Sequence, residues 1–233
     1  TARLRLAQAD TFSVDAATPA TFEKVRPGLG GAKLGVTGKS VNFSKVLNAI
    51  MAARTLRDSL GTDCLIGAGF VAQKANWREI YDAVQLYKAA GADNVRISGL
   101  FSPQKDRYFD GWREDAEELE RRAVADFDCP EFRVHARLAE KIADLQAPPD
   151  YEFCAYQNFT TYLAGDGNLY RCCVQAYNLH GKIGNVVEAG GFKALWDSQA
   201  KRDRFDGFDA RTCASCQHND KNRAINAAIA AVA

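Results

Sequence analysis

The placement of the cysteines constrains the fold of this chain more than any other feature. Five of the seven lie after residue 150, and an odd, uneven set is not typical of a disulfide framework. Cys154 and Cys172 flank the segment 165–168 (GDGN), which is typical of a hairpin turn, whereas Cys213 and Cys216 form a CxxC pair. A hairpin brings its two ends together, and a CxxC turn presents two thiols on one side. Such a set of sulfurs suits tetrahedral zinc or an iron–sulfur cluster.

The remaining cysteines have simpler interpretations. Cys64 and Cys129 are interpreted as small buried hydrophobic side chains. Cys173 follows Cys172 directly, and adjacent side chains on a strand face opposite ways, so we expect only one of the two to bind the same metal. His218 is interpreted as a surface residue because four cysteines, two around the hairpin and two in the CxxC pair, already fill a four-ligand site. From the residues alone, zinc, an iron–sulfur cluster and unrelated buried thiols all stay open.

Alternating strand and helix patterns organise the first half of the chain. Three apolar runs are interpreted as strands: 11–14, 64–71 and 95–100. Helical spacing of apolar residues predicts a helix over 42–60. Another helix is predicted to begin at Asn76, with Glu79 completing a capping box. This alternation predicts βαβ units with a parallel sheet.

A proline-rich break separates two parts of the chain. Two further helices are predicted over 114–127 and 132–145. The segment 147–150 (APPD) follows them, and proline cannot continue a helix. We therefore predict two domains, 1–148 and 149–233, of which the second contains the hairpin and the CxxC pair.

The charge balance excludes some classes of partner. Lys and Arg total 30 against 29 Asp and Glu, which leaves a formal net charge of +1. Such a balance does not favour nucleic acid or an anionic membrane surface as a partner. No apolar run approaches the roughly 20 residues that span a bilayer, and the first residues lack the pattern of a secretory signal. We expect a cytoplasmic protein that binds neither nucleic acid nor membrane.

The order of motifs in the second half resembles a known domain. It runs Cys154-x12-Gly167-x4-Cys172, then IGNV at 183–186, LWDS at 195–198, and Cys213-x2-Cys216. This order resembles the C-terminal auxiliary-cluster domain of radical S-adenosylmethionine (radical SAM) enzymes, the SPASM domain. It is more similar to the shortened twitch form, because no cysteine follows Cys216. The resemblance implies one auxiliary 4Fe–4S cluster on Cys154, Cys172, Cys213 and Cys216, and its Gly-x4-Cys spacing selects Cys172 rather than Cys173.

The first half resembles part of the radical SAM barrel. Segments 12–19 and 22–26 are similar to its fourth strand and the residues after it, 70–76 to its fifth strand, and 91–97 to the entry of its sixth. The resemblance implies an α/β fold. We expect a partial parallel (β/α) barrel, made of strands four to six, followed by a small α+β iron–sulfur domain that contains the hairpin.

Three residues match cofactor-contacting positions of that family. Ser13 corresponds to a serine that meets the nucleoside or methionine part of S-adenosylmethionine, and Asp15 lies beside it. Arg26 corresponds to an arginine whose planar fork can meet the methionine carboxylate. The resemblance thus implies cofactor binding by Ser13, Asp15 and Arg26. Plainer alternatives are a strand-end serine, a turn or cap aspartate and a solvated arginine.

The chain departs from the family in one major way. It contains no CxxxCxxC motif, which holds the catalytic cluster in these enzymes, and no separate Gly-Gly-Glu segment. Thr1 also falls in the middle of a βα unit. We therefore expect the chain to be the C-terminal part of a longer enzyme and to be inactive alone. A naturally reduced protein without radical chemistry is the alternative.

For the intact enzyme, the resemblance implies radical chemistry. A second 4Fe–4S cluster, reduced by an electron donor protein, would cleave S-adenosylmethionine to a 5′-deoxyadenosyl radical. That radical would abstract hydrogen from a small-molecule, sugar or peptide substrate. The auxiliary cluster would accept an electron from the substrate radical or help hold the domain in place. Because an oxidation needs such an acceptor, we expect an oxidoreductase. Two alternatives stay open: a zinc-stabilised binding module, and an accessory cluster protein that does not cleave S-adenosylmethionine.

Overall fold

A computed structural model describes residues 9–27, 42–102, 104–146 and 148–232. The chain divides into two compact units, one ending at Ile142 and the other beginning at Ala143. Up to residue 146 the elements are β1 (Ala9–Ser13), α1 (Pro19–Val25), α2 (Phe43–Leu60), β2 (Leu65–Ala72), α3 (Ile80–Ala90), β3 (Asn94–Gly99), α4 (Arg113–Phe127), β4 (Arg133–Ala136) and α5 (Leu138–Gln146). The later elements are β5 (Tyr162–Leu163), β6 (Asn168–Tyr170), β7 (Lys182–Asn185), α6 (Phe192–Trp196), α7 (Gln199–Asp206) and α8 (Asn219–Ala230).

A parallel sheet forms the centre of the first unit. Its strands lie in the order β1-β2-β3-β4, so each pairs with its neighbours in the sequence. Five successive residues of β2, from Ile66 to Phe70, are buried, as expected for a strand covered on both faces. The predicted α/β class is confirmed. Within the described residues the sheet is open, and closure into a barrel is not confirmed.

Strand β4 lies where a helix is predicted. The expectation of one helix over 132–145 is wrong for its first part, because Arg133–Ala136 pairs with β3 and the helix begins only at Leu138. Arg137 donates its backbone N–H to the carbonyl oxygen of Ile97 at 3.1 Å. The backbone here makes its hydrogen bonds to the sheet instead of to a helical turn. The described sheet therefore has four strands instead of the three that were predicted.

Helix α2 has the ends that its sequence predicts. The side chain of Asn42 accepts a hydrogen bond from the backbone N–H of Lys45 at 2.9 Å, which satisfies one of the free donors of the first turn. Gly61 ends the helix in the left-handed conformation, with φ of 59°. Both signals are local, so they do not depend on packing against distant residues.

Asn76 stands at the N-cap position of a 3-10 turn (Trp77–Glu79), but its side chain makes no capping hydrogen bond, so the predicted capping box is wrong. The residue is 1% exposed, and its Oδ1 accepts from the backbone N–H of Gln73 at 2.7 Å. Its Nδ2 donates to the carbonyl oxygens of Asp15 (2.8 Å) and Val71 (3.0 Å). Asn76 therefore joins the residues that follow β1 to the end of β2.

Glu79 also binds the segment after β1 instead of completing a capping box. Its Oε2 accepts from the backbone N–H of Ala17 at 2.7 Å, and its Oε1 accepts from the hydroxyls of Thr18 (2.8 Å) and Thr21 (2.7 Å). Thr18 is the N-cap of α1. Glu79 thus fixes the point at which α1 begins.

The second unit contains the predicted hairpin. Strands β5 and β6 pair antiparallel, and β7 adds to β6. Gly167 lies in the turn with φ of 78°, a left-handed conformation that favours glycine. A small core lies beside the sheet, made of Leu169, Ile183, Leu195 and Phe205. Among the helices of the described segments, none combines the length and apolar character needed to cross a lipid bilayer.

Candidate metal centre

Four cysteines line one cavity in the second unit: Cys154, Cys172, Cys213 and Cys216. The first precedes a 3-10 turn (Ala155–Asn158), and the second follows β6, so the hairpin brings these two together. The other two lie between another short turn and α8. The structure therefore gathers the four residues that the sequence analysis singled out as ligands.

Two asparagines tie α8 to the segment around Cys154. Asn219 accepts a hydrogen bond from the hydroxyl of Tyr151 at 2.8 Å, and Asn222 accepts from the backbone N–H of Tyr156 at 2.9 Å. Both asparagines are buried. The sequence analysis missed them, because an asparagine in a polar helix carries no local signal of a distant partner.

Nitrogen donors already approach two of the sulfurs. The backbone N–H of His218 donates to Cys216 Sγ at 3.3 Å, and the side-chain amide of Gln175 donates to Cys213 Sγ at 3.4 Å. Hydrogen bonds of this kind favour a thiolate over a thiol. These groups would also tune a metal bound to the sulfurs.

Burial favours the protonated form of the four thiols. Burial raises the pKa of Cys172 to about 12, while the backbone N–H groups of Gln175 and Val174 partly oppose this rise. Burial also raises the pKa values of the other three, Cys154, Cys213 and Cys216. Because a metal binds the thiolate form, binding must release protons from these cysteines.

Zinc and an iron–sulfur cluster require different spacings of the ligand sulfurs. In a tetrahedral zinc site with Zn–S bonds of about 2.3 Å, the sulfurs lie roughly 3.8 Å apart. In the described part of the chain, no three metal-ligating atoms that include a cysteine sulfur lie within 4.8 Å of one another.

Arg171 lies buried beside these cysteines, and the sequence analysis missed it. The residue is 4% exposed, and its guanidinium carbon lies 3.8 Å from the ring centroid of Phe208. Its Nη1 donates to Gln157 Oε1 at 2.5 Å, while its Nε has no hydrogen-bond partner in the structure as described. Burial lowers the pKa of Arg171, whereas Cys154, Cys172 and Cys213 raise it. The signal in the sequence that could have identified Arg171 was an arginine at the end of an apolar strand.

Cys173 and His218 differ from their predicted surroundings. Cys172 and Cys173 begin a 3-10 turn and are not on a strand, yet they still diverge, since Cys172 lines the cavity and Cys173 is exposed. Cys173 Sγ lies 3.6 Å from the Nε2 atom of His218. His218 itself lines the cavity and packs on the ring of Tyr156, with 4.5 Å between centroids. The interpretation of His218 as a surface residue is therefore wrong.

The two cysteines of the first unit lie apart from this cavity. Cys64 is 7% exposed, which agrees with a small buried side chain. Cys129 is only partly buried, and its sulfur lies 3.6 Å from Lys88 Nζ. The prediction of a buried hydrophobic residue is therefore correct for Cys64 and wrong for Cys129.

The three residues predicted to bind S-adenosylmethionine lie at and beyond the end of β1. Ser13 is exposed, whereas Asp15 is 6% exposed with φ of 61°. Arg26 donates from Nε (3.0 Å) and Nη2 (2.5 Å) to Asp15 Oδ2, and Asp15 Oδ1 accepts from the backbone N–H of Val71 at 2.8 Å. Asp15 and Arg26 are thus ion-pair partners. Their binding of a cofactor stays a prediction.

This ion pair faces an open cleft at the end of the parallel sheet. Asp15, Arg26, Val71 and Gln73 line it, and its volume is about 530 Å³. Loops at the carboxyl ends of parallel strands are where α/β folds build ligand sites. The cleft lies within the first unit.

Comparison with known proteins identifies the cysteine-containing segment. Residues 154–217 match a family model described as SPASM, an iron–sulfur cluster-binding domain. No curated protein matches the chain. The match begins at Cys154 and includes Cys172, Cys213 and Cys216. The predicted resemblance of this segment to an iron–sulfur cluster-binding domain is confirmed.

Proposed function

We propose that the second unit holds one auxiliary 4Fe–4S cluster on Cys154, Cys172, Cys213 and Cys216. We propose further that the chain is the auxiliary-cluster part of a radical SAM oxidoreductase. The observation that carries this proposal is the meeting of four thiols at one cavity within the segment that matches an iron–sulfur cluster-binding domain. Four cysteines are the donor set that 4Fe–4S clusters use most often.

The surroundings of the thiols suit such a cluster. When bound, it supplies a site that takes up or releases one electron at a time. The donors from His218 and Gln175 to sulfur would stabilise the thiolates. Tyr151, Tyr156 and Phe208 line the cavity and would limit access of water to the sulfurs.

The first unit has the groups to position a cofactor carboxylate. S-adenosylmethionine would supply a 5′-deoxyadenosyl radical for hydrogen abstraction from a small molecule, sugar or peptide. Arg26 presents its planar fork to Asp15 and would exchange that carboxylate for one from a ligand. The chain's sequence contains no CxxxCxxC motif, so we do not assign the cleavage of S-adenosylmethionine to any residue of this sequence.

A two-electron oxidation is the overall reaction that we propose. Hydrogen abstraction removes one electron with its proton, and the substrate radical must then lose a second electron. An electron acceptor near the substrate completes that oxidation, and the site on the four cysteines would serve as this acceptor.

The metal content of the whole chain tests the cluster. Protein purified without oxygen should contain about four irons and four sulfides per chain and should absorb near ~400 nm through thiolate-to-iron charge transfer. Iron, sulfide and zinc are measured together. One zinc with no iron, after attempted cluster reconstitution, would refute the proposal and favour a zinc-stabilised binding module.

Cysteine variants test the ligand assignment. Cys213→Ala removes one proposed ligand and should abolish or strongly reduce bound iron. Cys173→Ser and Cys129→Ser should retain the wild-type iron content, because Cys173 is exposed beside the cavity and Cys129 lies in the other unit. Equal loss of iron in all three variants would contradict the assignment.

A further inference from the structure

The buried guanidinium of Arg171 has no carboxylate partner in the part of the chain that the structure describes. The residue is 4% exposed, its side chain donates to the neutral amide oxygen of Gln157, and its Nε is unpartnered. A buried cation without an anion is strongly unfavourable, so proteins pair such groups with a counter-charge. The surroundings of Arg171 therefore lack an anion.

Two aromatic rings hold the guanidinium in place without neutralising it. The guanidinium carbon lies 3.8 Å from the ring centroid of Phe208 and 5.3 Å from that of Phe205. The hydrogen bond from Nη1 to Gln157 also holds the group. The charge is thus held at the wall of the cavity that the four thiols line.

We propose that Arg171 is the counter-ion of the auxiliary cluster and raises its reduction potential. This inference rests on the proposed function. Four thiolates outweigh the positive charge of an iron–sulfide core, so the bound complex is an anion and becomes more negative on reduction. A fixed cation in a buried site stabilises the reduced form more than the oxidised form.

The unpartnered Nε–H would act in the same direction as a donor to a cluster sulfur. Hydrogen bonds to the sulfurs of an iron–sulfur cluster are among the factors that set its potential. Arginine stays protonated under all ordinary conditions, so this charge does not vary with pH. A raised potential suits a cluster that accepts an electron from a substrate radical.

Three variants of the whole chain separate charge from local structure. Arg171→Gln removes the charge, and Arg171→Lys keeps a charge but not the planar fork. Arg202→Gln is the matched control, because Arg202 is an exposed arginine of the same unit whose charge water screens. Bound iron, the midpoint potential from a redox titration followed by EPR, and coupling to exchangeable protons in pulsed EPR are measured for each.

We expect Arg171→Gln to hold iron with a more negative midpoint potential, while Arg202→Gln keeps the wild-type value. A wild-type potential in an iron-loaded Arg171→Gln protein would overturn the inference and leave the cluster intact. If Arg171→Gln fails to fold by circular dichroism, Arg171→Lys decides: it should lose the coupling of the Nε proton while the couplings of the His218 and Gln175 protons remain, and an unchanged set of couplings would refute the inference. Absence of iron from the wild-type chain would instead refute the proposed function.

Discussion

The substitution Asn76→Asp distinguishes the predicted role of Asn76 as a helix cap from its observed role, because only the observed role requires the side chain to donate hydrogen bonds. At an N-cap, aspartate and asparagine are nearly equivalent, since both offer a side-chain oxygen to the first turn. In the structure, Asn76 instead uses Nδ2 to donate to the carbonyl oxygens of Asp15 and Val71. Aspartate has no such donor, so Asn76→Asp brings carboxylate oxygens against carbonyl oxygens.

The expected loss is large because the site is buried. Asn76 is 1% exposed, so water cannot replace the two lost hydrogen bonds. Each buried carbonyl left without a donor costs about 1–3 kcal/mol. We therefore expect Asn76→Asp to lower the free energy of unfolding of the first unit by roughly 3–5 kcal/mol.

A true N-cap in the same unit provides the control. Asn42 accepts from the backbone N–H of Lys45, so Asn42→Asp should change stability by less than about 0.5 kcal/mol. Urea unfolding is followed by the fluorescence of Trp77 and Trp112, whose rings stack with 5.9 Å between centroids. Equal, small effects of Asn76→Asp and Asn42→Asp would refute the observed role of Asn76.

Two further predictions concern stability. Burial raises the pKa of Glu120 from 4.5 to about 7, so its contribution to stability is full below pH 4.5 and is lost as pH rises through 7. Glu120→Gln should therefore gain stability relative to wild type between pH 5 and 8 in thermal unfolding, and a constant difference would contradict this. Gly167→Ala forces alanine into a left-handed φ of 78° and should cost about 1–2 kcal/mol in urea unfolding. Gly165→Ala, with no atom within 4 Å of its new Cβ, should cost less, and equal losses would count against the turn argument.

Features that depend on local chemistry were predictable from the sequence. The ends of α2 follow from Asn42 and Gly61, whose conformations are set by the turn that each belongs to. The meeting of Cys154 with Cys172 follows from the hairpin between them, because the turn residues define its geometry. The buried run of β2 was equally clear from its composition.

Features that depend on distant partners were not predictable. Strand β4 has four residues and becomes a strand by pairing with β3, so no periodicity marks it. Asn76 resembles a cap in sequence, but its partners are Asp15, which follows β1, and Val71, which lies at the end of β2. The electrostatic environment of Arg171 depends on thiols that separate segments of the chain contribute. In each case the deciding contact is made only in the folded chain.

The asparagines of α8 also determine how the cysteine site assembles. Sixty-one residues separate Cys154 from Cys216, and closing a loop of that length costs roughly 4 kcal/mol of chain entropy. The hydrogen bonds of Asn219 to Tyr151 and of Asn222 to Tyr156 close this loop through protein contacts. The site is therefore preorganised, and the free energy of metal binding goes into affinity instead of chain ordering.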